Sequence, residues 1–160
     1  MTWFRRNRDE SPPPPPPEDE DAPDKLRQRL WELVQFINRH AGQLPVEAVV
    51  LARQVTDRVR EVIETAADRP LDVYAVVQIN GIVNDYLPTT LRAYLALDSA
   101  VVEQAGRSGR TPRGALREQL EALNDAADEL FTAARAHDVD ALFSQGNFLR
   151  TKFTRSDLDL

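Results

Sequence analysis

Apolar side chains recur every three to four positions along this chain, and no stretch alternates apolar with polar residues over a useful length. That spacing marks one face of an α-helix; a half-buried strand would show a period of two. Leu26, Leu30, Leu33, Val34 and Ile37 predict a first helix from near Asp24, with Trp31 at the edge of its stripe. Asp21 or Asp24 suits its cap and Pro23 its first turn, and Gly42 is placed to stop it in a left-handed C-terminal turn. Ala48, Ala52, Val55, Val59, Val62, Ile63 and Ala66 form the seam of a second helix from about Pro45 to Asp68. Arg60 and Glu64 are spaced for an i, i+4 ion pair, and the helix must end before Pro70.

The segment from about Asp72 to Leu87 is apolar on several faces, which predicts burial on more than one side, and a helical pattern resumes as far as Leu97. Leu87, Leu91, Tyr94 and Leu95 keep helical spacing across Pro88, so the segment reads as one helix kinked at that proline. A strand around Val73 is the competing reading; the spacing through Leu87 and the lack of a partner strand argue against it. Asp98-Ser99 reads as the start of a short turn, and Arg107-Ser108-Gly109-Arg110 as a loop. Thr111-Pro112 has the form of a cap followed by proline at the first helical position. Leu116, Leu120, Leu123, Ala127, Leu130, Phe131 and Ala134 then make the cleanest stripe in the chain, a helix from 112 to about 136. A tight turn at His137-Asp138 is expected to lead into a last helix carrying Val139, Leu142, Phe143, Leu149 and Phe153. Gly146 within it costs about 1 kcal/mol against alanine. The expected fold is all-α: an antiparallel bundle of four to five helices over residues 23–155, with a kinked central helix, a disordered tail over 1–22 and a disordered C-terminus over 156–160.

The tail differs in kind. Pro12 to Pro17 favour polyproline II, a stiff spacer of roughly 20 Å. Glu18-Asp19-Glu20-Asp21 follow as a self-repelling acidic block. Ahead of both stand two aromatics and three arginines, Trp3-Phe4-Arg5-Arg6-Asn7-Arg8. These offer an anchor for a partner or an anionic membrane surface; the plainer reading is a chain start without a role.

The net charge of −6 is shared by the tail and the rest, so nucleic-acid binding has no electrostatic support. The absence of cysteine excludes disulfides, thiolate metal sites and thiol catalysis. No apolar run approaches the roughly 18–20 residues of a membrane span, and the first residues lack the apolar core of a signal peptide. A cytoplasmic location is the expectation. Arginine outnumbers lysine 18 to 2, a bias common in GC-rich bacterial genomes.

Sites for chemistry are few. The two histidines, His40 and His137, fall at expected helix C-termini, where the helix dipole explains them. His137, Asp138 and Asp140 are close enough to suggest a metal site, but Asp138 equally caps the following helix. No nucleophile motif, phosphate loop or dinucleotide fingerprint occurs, and no cofactor is expected. Asn80 and Asn84 share a face of an otherwise apolar helix, as a solvent-facing strip, a polar lock between helices or a partner surface. Arg107, Arg110 and Arg113 surround Ser108 and Thr111; the cluster reads as a solvated loop or as one that holds a phosphate or is phosphorylated.

Asn84-Asp85-Tyr86-Leu87-Pro88-Thr89-Thr90-Leu91, followed by Ala93-Tyr94-Leu95-Ala96-Leu97, resembles the Tyr-Leu-Pro-Thr segment of the XpaC-like family, the bromochloroindolyl phosphate hydrolysis proteins. Gly109-Arg110-Thr111-Pro112 and Gly146 to Phe153 resemble actinobacterial relatives, so the likeness covers residues 70 to 155. It implies a helical build and, for some relatives, a setting beside toxic-anion resistance proteins. The family's hydrolase label comes from an indicator substrate, and no catalytic motif carries over. The N-terminal membrane helices of some relatives have no counterpart in this chain.

The expectation for function is therefore a non-catalytic protein-interaction or scaffold module, linked to envelope or toxic-anion stress. Its candidate surface is Asn80, Asn84, Tyr86, Pro88, Thr89 and Tyr94, and its partner is another protein or a second copy. The alternatives are a phosphatase dependent on Asp138 and Asp140, following the family label, and a self-associating structural protein.

Overall fold

The computed structural model describes residues 19–156, with side chains described as far as His137. The proline run, the Trp3-Phe4-Arg5-Arg6 anchor and the end of the chain lie outside the described residues. Helix α1 spans Pro23–His40 and α2 spans Val46–Glu64. Helix α3 (Val73–Asn80) passes through a π turn (Gly81–Tyr86) into α4 (Leu87–Leu95), and α5 spans Pro112–Ser156. With α3, the π turn and α4 counted as one continuous rod, the described residues form four rods and no strand.

The expected stripe of α1 is its buried face: Leu26, Leu30, Leu33 and Ile37 sit in the core. Pro23 occupies the first turn, and Arg39 and His40 face the negative end of the helix dipole. Its ends differ from expectation. Neither Asp21 nor Asp24 caps the helix, because the cap position falls on Ala22 with no side-chain bond. Gly42 lies inside a 3-10 turn (Ala41–Gln43), not in a left-handed stop. Gly109, with φ 76°, is the one described residue in the left-handed region.

Helix α2 is the central column. Ala48, Val49, Ala52, Val55, Thr56, Val59, Val62 and Ile63 are all buried, a face wide enough to pack on two neighbours. The helix ends at Glu64 and tightens into a 3-10 turn (Thr65–Ala67), short of the expected Asp68. The Thr65 hydroxyl donates to the Val62 carbonyl at 2.6 Å, where the α-helical bonding stops. Arg60 pairs with Asp57 at 3.0 Å instead of with Glu64.

The 73–95 rod is continuous across Pro88, as its spacing predicts, but its irregularity lies one turn earlier. Proline at 88 has no N–H and crowds the carbonyl four residues back. The chain answers by widening: Leu87 N–H donates to the Ile82 carbonyl, five residues back. Asp72 caps the rod, its carboxylate accepting from Ala75 N–H at 2.7 Å. The expected burial on several sides does not occur. Ala75, Ile79, Ile82, Val83, Leu87, Pro88 and Leu91 are buried on one face, and the opposite face stays open.

Helix α5 begins where Thr111-Pro112 predicts, with Thr111 Oγ1 accepting from Gly114 N–H at 3.0 Å. It does not turn at His137-Asp138. The helix runs through both residues to Ser156, for 45 residues in all. An aspartate favours a helix start but does not stop one in progress, and no glycine or proline stands there to do so.

Side-chain bonds fix the register. Glu47 meets Arg113 and Arg58 meets Asp128, so α2 and α5 lie side by side in the same direction. Arg29 meets Asn80 and Arg92 covers Phe36, so α1 and the 73–95 rod also run together. Successive rods alternate in direction, up-down-up-down, and their order around the bundle is α1, α2, α5, then α3–α4. The connection over 65–72 therefore crosses between diagonal partners.

Candidate functional site

The open face of the 73–95 rod carries the most unusual surface. Val73, Tyr74, Val77 and Tyr86 are 80%, 67%, 59% and 55% exposed. At ordinary helical spacing Tyr86 would fall off the line of the other three. The π turn corrects this, because its wider turn, bonded i to i+5, brings residue 86 round to the side of residue 81. The Tyr86 ring accordingly lies against Gly81, with its Cε2 3.0 Å from where a Cβ there would stand. Glycine leaves room for the ring, and Tyr86 thereby joins the face that Val73, Tyr74, Val77 and Gly81 share by helical spacing.

The Tyr-Leu-Pro-Thr segment does not form one surface. Tyr86 and Thr89 are exposed, and the Thr89 hydroxyl donates to Asp85 at 3.4 Å. Pro88 is buried. Tyr94 is half-buried on the α5 side, where burial raises its phenol pKa and the nearby Glu103 carboxylate raises it further.

Asn80 and Asn84 join the rod to α1. Asn80 Oδ1 accepts from Arg29 at 3.1 Å and from Asn84 Nδ2 at 3.0 Å, while Asn80 Nδ2 donates to Asp21 at 2.8 Å. Arg29 also pairs with Glu20. One half-buried amide thus bridges the start of α1, its second turn and the π turn. That is the lock geometry, built on partners as many as 59 residues away in sequence.

The arginine loop is held by carboxylates. Arg113 donates to Glu47 at 2.6 Å and to Glu103 at 3.1 Å, and Arg110 pairs with Glu118. The bond to Glu47 raises the Arg113 pKa and lowers that of Glu47. Arg107 and Ser108 are exposed, and Thr111 is the α5 cap. Ser108, Arg110 and Thr111 border one shallow pocket at the start of α5, and Arg107 and Arg113 are not among its lining residues.

His40 stands at the end of α1 as expected, its Nδ1 2.9 Å from the Phe36 carbonyl and its ring 4.4 Å from the Phe36 ring. His137 is not at a helix end; it sits mid-helix beside a cleft of about 220 Å³ shared with Arg69, Asp72 and Tyr74. Asp72 is committed there to its cap, and Arg69 donates to the Ala134 carbonyl at 2.9 Å. Asp138 cannot cap a new helix, since it lies within α5, and the side chains of Asp138 and Asp140 lie outside the described residues. Among the described residues no three acidic or histidine side chains gather as a metal site, and no helix is long and apolar enough to cross a membrane.

Two features are absent from the sequence-based expectation. Trp31 is 62% exposed and lines a groove of about 230 Å³ with Arg27, Val34, Arg60 and Glu64; its place at the edge of the α1 stripe was the available signal. A second groove, between α1 and α4, holds Arg29, Arg39 and Arg92, which the helical pattern alone does not bring together.

No protein-family model, no curated protein and no solved structure matches this chain.

Proposed function

We propose that this protein is a non-catalytic helical interaction module that docks a partner protein on the open face of α3 and the π turn. The observation that carries the reading is the alignment of Val73, Tyr74, Val77 and Tyr86 on one exposed line. Single exposed hydrophobics are ordinary on a protein surface, whereas a contiguous line of four on one rod favours a docking face. The line is about three turns long, the length over which an amphipathic helix presents anchors at i, i+3 or i+4 and i+7. Asp72 and Asp85 flank it, which favours a partner helix with basic edges. The Tyr-Leu-Pro-Thr likeness directs the search for that partner toward envelope and toxic-anion stress proteins.

Affinity capture with the full chain beside a Val77→Lys, Tyr86→Ala double variant tests the reading. Both positions are exposed, so the fold is expected to survive, and circular dichroism checks that it does. A partner held by the wild type and lost by the variant supports docking on this face; equal capture by both would sink it. Light scattering over a range of concentrations separates a foreign partner from a second copy, since only self-association raises the mass of the pure protein.

A further inference from the structure

The groove between α1 and α4 is a second surface, and the charge at one end of it is not cancelled within the bundle. Most arginines of the described residues meet a carboxylate, Arg27, Arg58, Arg60, Arg110 and Arg117 among them. Arg39 and Arg92 differ. Arg39 donates to the Gln35 carbonyl at 3.4 Å, and Arg92 lies over the Phe36 ring at 5.2 Å. Among the described residues neither has a carboxylate partner. Both residues are exposed, and both line the same groove of about 290 Å³.

The parallel course of α1 and the 73–95 rod orders the groove from end to end. Arg29 and Asn84 mark one end, Phe36 and Pro88 come further along, and Arg39 and Arg92 stand at the other. Arg29 to Arg39 is about 15 Å along α1. At the first end Arg29 is already paired with Glu20, and Glu32 follows one turn on, accepting from Gln28 at 3.2 Å. At the second end no acid lines the wall. The groove is therefore polarised, cationic at the Arg39 and Arg92 end only, with Leu33, Phe36, Val83 and Pro88 as an apolar floor between the ends.

Stacking on Phe36 holds the plane of the Arg92 guanidinium while its edge N–H groups remain able to donate. Such forks match carboxylate oxygens, and arginine clusters are a recurring means of reading acidic motifs. A broad anionic surface suits the site less well. The chain carries a net charge of −6, which repels such a surface as a whole. A short segment inside the groove feels mainly the charges within about 10 Å of it.

We propose that the α1–α4 groove binds an acidic linear segment of a partner protein, with its carboxylates on Arg39 and Arg92 and an adjoining apolar residue over Phe36 and Pro88. The inference does not rest on docking at α3, which uses another face of the rod.

Titration of the full chain with the capped peptide Glu-Glu-Leu-Pro-Leu, followed by nuclear magnetic resonance, tests the site. The expected result is saturable displacement of the amide signals of Phe36, Arg39 and Arg92 and of the two arginine Nε–H signals, with Val73 and Val77 unmoved. The Val77→Lys, Tyr86→Ala variant should bind the peptide as the wild type does. Arg39→Glu, Arg92→Glu should weaken binding by more than about tenfold. Arg39→Lys, Arg92→Lys keeps the charge without the fork and should weaken it less. Circular dichroism checks the fold of each variant. The same peptide with glutamine in place of glutamate should not bind. No displacement at millimolar peptide, displacement centred elsewhere, or equal binding by the charge-reversed variant would overturn the site. So would the same displacement by inorganic phosphate at the same concentration, which would leave a simple anion site. Groove signals that shift with protein concentration alone would also overturn it, making a second copy the occupant.

Discussion

The edge of the Tyr86 ring rests on Gly81, 3.0 Å from the point where a side chain there would begin. The contact exists because the π turn sets the two residues five apart on one face, and it ties the glycine to the exposed line of α3.

Replacing Gly81 with alanine should therefore have two opposed effects. Alanine in a helix is favoured over glycine by about 1 kcal/mol. The new methyl, however, meets the Tyr86 ring and must push it aside. Gly81→Ala is expected to change the near-ultraviolet dichroism of the tyrosines while gaining less stability than propensity alone provides. The same substitution in a Tyr86→Ala background should recover the full gain, so a double-mutant cycle read by urea unfolding should show coupling between the two positions.

Asn80 makes three side-chain bonds and Asn84 makes one of these with it. Asn80→Ala removes all three and should cost about 1–2 kcal/mol, since the groups are only partly buried and water replaces some of the bonds. Asn84→Ala should cost less than half as much. Equal losses in urea unfolding would contradict the bridging role.

Ile79 is fully buried between α3 and the rest of the core. Ile79→Ala should destabilise by roughly 2–5 kcal/mol through lost burial and the cavity left behind. Val77→Ala, two residues away on the open face, should change stability by less than about 0.5 kcal/mol. Thermal melting of the two variants distinguishes a one-sided rod from one buried on several sides.

The Arg113 bond lowers the Glu47 pKa below its ordinary value of 4.5. A carboxylate with a depressed folded-state pKa stabilises the fold above the unfolded value, and that contribution is lost as pH falls through the folded value. Melting temperature should therefore decline as pH drops below about 4.5, and Glu47→Gln should remove part of the decline. The side chains are exposed, so the effect should shrink in high salt.

Much of this was legible in the sequence where one helix face decides the outcome. Leu26, Leu30, Leu33 and Ile37, and likewise Leu116, Leu120, Ala127 and Leu130, are buried as their spacing predicts. Features that depend on distant partners were not legible. Nothing local announces that Asn80 will meet Arg29, 51 residues before it. Periodicity assumes 3.6 residues per turn, so it misplaces Tyr86 after the wider π turn. Apolar composition also cannot say which apolar side chains have something to pack against, and Val73 and Tyr74 have little. At Gly42 the helix end was legible and only its left-handed form was misjudged, whereas the end expected at His137 was misjudged outright: a residue that favours a boundary does not create one.

Helix α5 is 45 residues long and α2, its main neighbour, is 19. A helix without interruption couples distance to phase. Each residue inserted after His137 would carry the far end about 1.5 Å outward and swing its bearing by about 100°. Whatever attaches near Ser156 is thus held at an orientation set by residue count, as a key's teeth are set by the shank. Inserting four residues nearly preserves that orientation, and inserting two reverses it.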